Sequence, residues 1–419
     1  MDAGKKAWAW VPPLYFIEGL PNAVITGLAV LFYSGMGLSD GHAVALTGSL
    51  GLPWVLKPLW SPLVDSAGTK RGWIFSMLAG FVLCFALLAL APFFSEWVLL
   101  SLAAFWILGF ASATYDISAD GFYMIALGEG RQAFFVGIRN TCYRLAVVFA
   151  KGALVVMAGL VAGDGPPALG WSCAFGVCAV LCGLAFAVFF VVLSRPAADA
   201  ERRPAGLGAF FSEFAGCFSG FFRKPFIISI LAYVCLYRFA EAQLANNLPL
   251  FLMADPSAGG LSLTLAQNGL VNGTAGVVCL LAGGILGGVL ISRFGLLRCI
   301  LPMAFAINLP NLLYVLLAWA RPRSLALVSA CVGLEQFGYG LGFASYMMFL
   351  MHASRGAHKT SHYAIATGFM ALGLMLPATF SGYIQESLGF LNFFWWVALC
   401  TLVSFAVTVN ARRALAAGL

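Results

Sequence analysis

Charge is what this chain has least of. Only 9% of its 419 residues are Asp, Glu, Lys or Arg, against roughly 25% in an ordinary soluble domain. A surface that poor in charge cannot be solvated by water, so the chain's solvent is lipid. Long polar loops are also missing, which leaves a membrane-embedded transferase little place for its catalytic acids and histidines. No phosphate-cradling loop of the Walker type is present, so ATP-driven transport would need a separate subunit. Serine and histidine form no hydrolase constellation at a shared depth. The 11 cysteines have no module-like spacing, and all except Cys217 sit inside apolar runs, so they read as small buried side chains rather than a disulfide framework. His352, His358 and His362 lack a third ligand of the right kind, so no metal and no cofactor are expected. Gly283-Gly284 and Gly287-Gly288 lack the strand–turn–helix context of a dinucleotide site and read as close helix packing. No cleaved signal peptide is expected, because Lys5 and Lys6 precede an apolar run long enough to span.

What the chain has in abundance is apolar length: 62% hydrophobic residues and a mean hydropathy of +0.94. A helix crosses the bilayer with about 20 apolar residues, and the runs divide into about twelve such segments. They cover about 11–34, 42–64, 72–94, 97–127, 132–161, 170–193, 225–252, 262–292, 297–319, 323–351, 360–385 and 390–411. The expected fold is all-α and integral to the membrane.

The net charge of +7 does not cluster on a soluble module, so nucleic acid is not an expected partner; it marks topology instead. Lys5, Lys6, Lys70, Arg71, Arg131, Arg195, Arg202, Arg203, Arg223, Lys224, Arg293, Arg298, Arg355, Lys359, Arg412 and Arg413 fall on one side, and only Arg321 and Arg323 on the other. That asymmetry puts both termini in the cytoplasm. The longest polar connection, 194–224, separates an N-terminal bundle over 1–193 from a C-terminal bundle over 225–419. Within it Phe210, Phe211, Phe214, Phe218, Phe221 and Phe222 recur at helical spacing, which predicts an interfacial helix on the cytoplasmic membrane face.

The two bundles echo each other. Trp60-Ser-Pro-Leu-Val-Asp65 followed by Lys70-Arg71-Gly72 stands at the second-to-third helix junction of the first, and Gly287-Gly288 followed by Arg293, Gly295 and Arg298 at that of the second. This resembles the loop signature of the major facilitator superfamily, with Ser61 and Pro62 where a glycine is usual. The resemblance implies twelve transmembrane helices in two six-helix bundles, with Asp65, Lys70, Arg71, Arg293 and Arg298 as the gating turns.

Ionisable groups inside spans are costly and by default mark a site. Span four carries Asp116 and Asp120 on one face. Span five carries Arg139, Arg144 and Lys151, with Asn140 and Tyr143 between. At about 1.5 Å per residue, Asp116 and Arg144 lie roughly 17–18 Å from the cytoplasmic turn, and Asp120 and Arg139 roughly 10 Å. Two level-matched pairs are expected, Asp116 with Arg144 and Asp120 with Arg139. Glu18 and Lys57 form a third. In the second bundle Arg238 and Glu241 lie one turn apart, and Glu335, Gln336 and Tyr339 share span ten. Positives near midplane in both bundles suit an anionic solute, and acids beside arginines can take up and release a proton as hydration changes. Proton-coupled transport follows as the expectation, with Asp116, Asp120, Glu18 and Glu241 in the proton path. Asn22, Asn246, Asn247, Gln267, Asn268, Asn272, Asn308, Asn311 and Tyr363 are candidate polar lining, and Pro249 loosens the end of span seven.

The stretches Tyr15-Phe-Ile-Glu-Gly-Leu-Pro21, Lys57-Pro-Leu-Trp-Ser-Pro-Leu-Val-Asp65, Ala113-Thr-Tyr-Asp-Ile-Ser-Ala-Asp-Gly121 and Tyr143-Arg-Leu145 resemble AmpG-type muropeptide permeases, over essentially the whole chain. Leu236-Tyr-Arg-Phe-Ala-Glu-Ala242 and Leu334-Glu-Gln-Phe-Gly-Tyr-Gly340 extend the likeness more loosely into the second bundle. Gly121 departs from it, since that family commonly carries a bulkier residue after the second aspartate. The resemblance implies proton-driven import of N-acetylglucosaminyl-anhydro-N-acetylmuramyl peptides across a bacterial inner membrane, by a chain expected to act as a monomer. It implies that Arg139, Arg144 and Arg238 take the ligand's carboxylate and that Tyr143, Tyr237 and Tyr339 stack its sugars, with Glu335, Asn246 and Asn272 beside them. Siderophore importers of the same branch are the alternative, a membrane transferase the more distant one.

Overall fold

A computed structural model describes residues 3–38, 40–163, 165–196, 199, 207–356 and 358–419. It is helical throughout, with no strand among the described residues. Ten helices are long and apolar enough to cross a membrane. The last of them, Lys359–Ala416, holds two spans, because Gly389 (φ 70°) interrupts it. The second expected span is broken into Asp40–Thr47, Leu52–Leu56, Lys57–Leu59 and Ser61–Ser66. Pro53, Pro58 and Pro62 explain the breaks, since each removes a backbone donor and fixes φ. With these two segments counted, the fold is the expected twelve-helix arrangement.

The remaining spans are Ala7–Gly35 (one), Lys70–Phe93 (three), Trp97–Ala126 (four), Glu129–Ala162 (five), Pro167–Val192 (six), Ile227–Met253 (seven), Gly269–Phe294 (eight), Leu296–Ala320 (nine) and Leu325–Ala353 (ten). Side chains such as Leu83, Leu160, Val191 and Ile228 are largely exposed, as expected where lipid rather than water meets the helix. Three spans carry a wide turn with i→i+5 bonding: Val24–Leu28 in span one, Phe149–Leu154 in span five and Gly269–Gly276 in span eight. Such turns recur at functional sites.

The chain forms two compact units. The first comprises Met1–Gly128, Arg139–Cys217 and His358–Ile365; the second comprises Glu129–Ile138, Phe218–Ala357 and Ala366–Leu419. In the first, span one meets span five closely at Gly19, where a Cβ would lie 2.7 Å from the Tyr143 carbonyl oxygen. In the second, glycine does the packing between spans eight and ten: a Cβ at Gly283 would lie 2.1 Å from the Phe337 carbonyl, and one at Gly340 would lie 2.2 Å from that of Leu280. The glycine pairs read as packing devices are that. A helix forms over Leu207–Phe222 within the central connection, burying Cys217 and Phe221 and exposing Phe211 and Phe222.

Candidate functional site

In the first unit, span four aims two carboxylates from one face into a packed cluster. Asp120 accepts from Arg139 Nη1 at 2.7 Å and from the Tyr15 hydroxyl at 2.9 Å. That hydroxyl accepts in turn from Arg139 Nη1 at 2.8 Å, and Arg139 Nη2 donates to Tyr363 at 2.9 Å. The guanidinium lies over the Tyr15 and Tyr123 rings, 4.6 and 5.1 Å from their centroids. Arg139 is 3% exposed, so this pair is closed from every side. The expected match of Asp120 with Arg139 stands.

Asp116 takes Lys57 as a salt-bridge partner, so the expected pair of Glu18 with Lys57 does not form. The cause is the break in span two: the tight turn Lys57–Leu59 carries the ammonium across to span four. Glu18 therefore loses the lysine it was expected to hold. It is buried, and its Oε2 has no hydrogen-bond partner. Buried polar atoms are nearly always partnered, so an orphan oxygen marks a special position. The unit thus gathers three carboxyls, of which Asp116 pairs with Lys57 and Asp120 with Arg139, while Glu18 Oε2 has no hydrogen-bond partner. Arg144 and Tyr143 are half-buried on the same span as Arg139.

In the second unit span seven breaks between Ile227–Leu236 and Phe239–Met253, and Arg238 stands at the break with φ −100° and ψ 18°. Its Nη2 pairs with Glu241 at 2.9 Å and donates to the Tyr339 hydroxyl at 2.6 Å. The guanidinium lies over Tyr339 and Phe343, 5.3 and 5.2 Å from the ring centroids. Glu335 is held separately, by the Tyr314 hydroxyl at 2.6 Å and Gln336 Nε2 at 2.9 Å. Asn272 donates to Asn268 Oδ1 at 2.6 Å; the side chain of Asn246 lies outside the described residues. Tyr237 is buried, with its hydroxyl donating to the Gly342 carbonyl at 3.2 Å.

The loop residues form a third arrangement. Asp65 pairs with Lys70 at 2.7 Å and accepts from the Ser361 amide at 2.7 Å and hydroxyl at 2.5 Å. Ser361 lies in the first turns of the helix that begins at Lys359, whose unpaired amides attract a carboxylate. Burial pushes the Asp65 carboxyl up, but Lys70 and the Ser361 donors outweigh it and hold the group below its ordinary value. Asp199 accepts from the Lys70 and Arg71 amides at 2.7 and 3.1 Å, and Arg71 Nε donates to the Leu193 carbonyl at 3.3 Å. Arg293 and Arg298 are exposed on either side of Gly295, whose φ of 80° makes the matching turn in the second unit.

Ser361 and Tyr15 were not among the expected site residues. Nothing in their spacing announces them, since their partners lie hundreds of positions or several spans away. The Gly121 departure has a physical reason: a Cβ there would lie 2.6 Å from Thr360 Cγ2 and 2.7 Å from Thr360 Oγ1. The glycine makes room for residues 358–365 within the first unit.

The family described as Major Facilitator Superfamily matches residues 13–376. Among curated proteins, the chain is 24% identical over 412 residues to the anhydromuropeptide permease of Escherichia coli K12, covering 96% of this chain and 79% of that protein. It is 21% identical over 403 residues to a protein named as transporter AmpG 4 in Rickettsia conorii, covering 93% and 92%. Among solved structures, the Escherichia coli fucose:proton symporter FucP superposes with a TM-score of 0.71 at 14% identity, covering 96% of this chain and 98% of that one.

Proposed function

The chain belongs to the Major Facilitator Superfamily, and from that premise we propose that it is a proton-coupled importer of N-acetylglucosaminyl-anhydro-N-acetylmuramyl peptides, serving cell-wall recycling. It works across a bacterial inner membrane by alternating access, with both termini cytoplasmic. The substrate class rests on relatives named as anhydromuropeptide permease and AmpG transporters, aligned over more than nine-tenths of this chain. Topology rests on the lysine and arginine asymmetry of the loops, and direction on the likeness to those permeases.

The observation that carries the coupling is a buried carboxyl in the first unit, Glu18, whose Oε2 has no hydrogen-bond partner among the described residues, beside the ion pairs of Asp116 and Asp120. Charge in a low-dielectric interior must be balanced, so one proton resident among Glu18, Asp116 and Asp120 completes the cluster. Hydration of that cluster on one side of the membrane loads the proton, and hydration on the other releases it.

Substrate binding falls to different residues. Arg139 is enclosed and supports the cluster rather than the ligand. Arg238 is the better anion holder, because its flat guanidinium is pre-set on Tyr339 and Phe343 and its partner is a carboxylate on its own helix. A substrate carboxylate competes with Glu241 for that fork, which ties ligand arrival to a change at an acid. Asn272 and Glu335 are further polar residues of the second unit, and Tyr143 and Arg144 of the first.

Uptake of labelled disaccharide peptide into proteoliposomes tests the reading. Accumulation should rise several-fold under an inward acid gradient and collapse with an uncoupler. Accumulation of a ferric siderophore in place of the disaccharide peptide would overturn the substrate, and indifference to the gradient would overturn the coupling.

A further inference from the structure

Lys151 belongs to none of the arrangements above. It lies in the wide turn Phe149–Leu154 of span five, is exposed, and makes no hydrogen bond or ion pair with a described residue. An ammonium in the middle third of a span is costly unless an anion or water meets it. Counting along the helices at about 1.5 Å per residue, Lys151 and Gly27 each stand about 8–9 Å outward of the centres of their spans.

Span one is shaped to receive it. Gly27 lies in the wide turn Val24–Leu28, and a Cβ built there would lie 2.4 Å from Lys151 Cε and 3.3 Å from its Cδ and Cγ. A Cβ there would push the lysine stem aside from span one. Beside it Thr26 is exposed, its hydroxyl turned back to the Asn22 carbonyl at 2.8 Å. Arg144 lies seven residues before Lys151, about 10 Å deeper along span five.

We propose that Lys151, cradled on Gly27, is an outer anion-holding position of the transport path. It takes the carboxylate of an incoming solute as a point charge, and Arg144 then draws the anion inward. The assignment rests on the transporter reading but not on the identity of the solute.

The test introduces Thr26→Cys and compares its reaction rates with an anionic sulfonatoethyl thiosulfonate and a neutral methyl thiosulfonate, counted above the parent chain's own cysteines. The lysine should speed the anionic reagent, since one unit charge within a few ångströms is worth about three- to ten-fold in rate at the dielectric of water. Lys151→Gln should remove that preference, Lys151→Arg should keep it, and Gly27→Ala should weaken it by displacing the stem. An unreactive thiol in the Thr26→Cys variant, or a preference indifferent to Lys151→Gln as for a lysine turned to lipid headgroups, overturns the proposal. In the same proteoliposomes, Lys151→Gln should raise KM about ten-fold for the disaccharide peptide at unchanged kcat, and leave KM for a carboxyl-amidated analogue unmoved. Equal changes for both would also overturn it. If the parent chain takes up no disaccharide peptide, the substrate reading fails, while the reagent preference still decides the anion site.

Discussion

Arg139 of the first unit and Arg238 of the second are both intramembrane arginines beside an acid, yet they are built differently. Arg139 meets its acid from a neighbouring helix, is locked by two tyrosine hydroxyls, and is 3% exposed. Arg238 meets an acid one turn along its own helix, where the helix is broken, and its side chain keeps 11% of its exposure. A pair made across helices fixes those helices, whereas a pair within one helix fixes little and exchanges partners at small cost. The arginine of the first unit therefore ties helices together, and that of the second lies over aromatic rings beside a break in its own helix. The same residue type does opposite work because of where its acid is anchored.

The largest effect that could break this contrast is on stability. Arg139→Gln leaves Asp120 buried without its cation and should cost about 3–5 kcal/mol, read as a drop in unfolding midpoint in detergent. Arg238→Gln should cost less, about 1–3 kcal/mol, while abolishing uptake. Equal losses would erase the distinction. Asp65→Asn comes next, at about 1.5–3 kcal/mol for hydrogen bonds to a charged group, read as amide exchange at Ser361. Because the folded Asp65 carboxyl titrates below its unfolded value of about 3.9, its contribution is complete above that value. It is lost only as pH falls through the lower folded value. Protection of Ser361 should therefore be flat from pH 8 to 5, and Asp65→Asn should show the acid-state exchange at every pH. Gly283→Ala tests the glycine packing of the second unit: with the Phe337 carbonyl 2.1 Å from the new carbon, it should cost about 1–3 kcal/mol by overpacking.

Much of this was legible in the sequence, and the limits are physical. Apolar length fixes the number of crossings, because lipid admits nothing else. Depth along a helix is nearly linear in residue number, so the level match of Asp120 with Arg139 could be counted. The match of Glu18 with Lys57 failed because level is not azimuth, and because Lys57 reaches Asp116 from a span that Pro53, Pro58 and Pro62 break into short turns. The hydroxyls of Tyr15 and Tyr363 that enclose Arg139 come from spans one and eleven, and no local pattern carries that distance. Gly121 looked like a departure from the resembled family and is a fitting for Thr360. The wide turns at Val24–Leu28 and Phe149–Leu154 left no composition signal beyond a glycine in each.

The smallest expected effect on stability belongs to Glu18, the buried carboxyl on which the proposed coupling rests. Glu18→Gln keeps shape and replaces a carboxyl whose Oε2 has no donor by a neutral amide, so the unfolding midpoint should stay within about 0.5 kcal/mol of the parent. If Glu18 holds the cluster's surplus proton, the amide is a permanent copy of the loaded state. Gradient-driven accumulation should then be lost, while exchange of labelled for unlabelled disaccharide peptide across the membrane continues, because exchange needs no proton release. The contrast with Arg139→Gln is sharp: one variant folds poorly, the other folds well and cannot concentrate its solute. Intact accumulation under an acid gradient in Glu18→Gln would move the proton to Asp116 or Asp120, and the enclosed arginine would have to be part of the exchange rather than its frame.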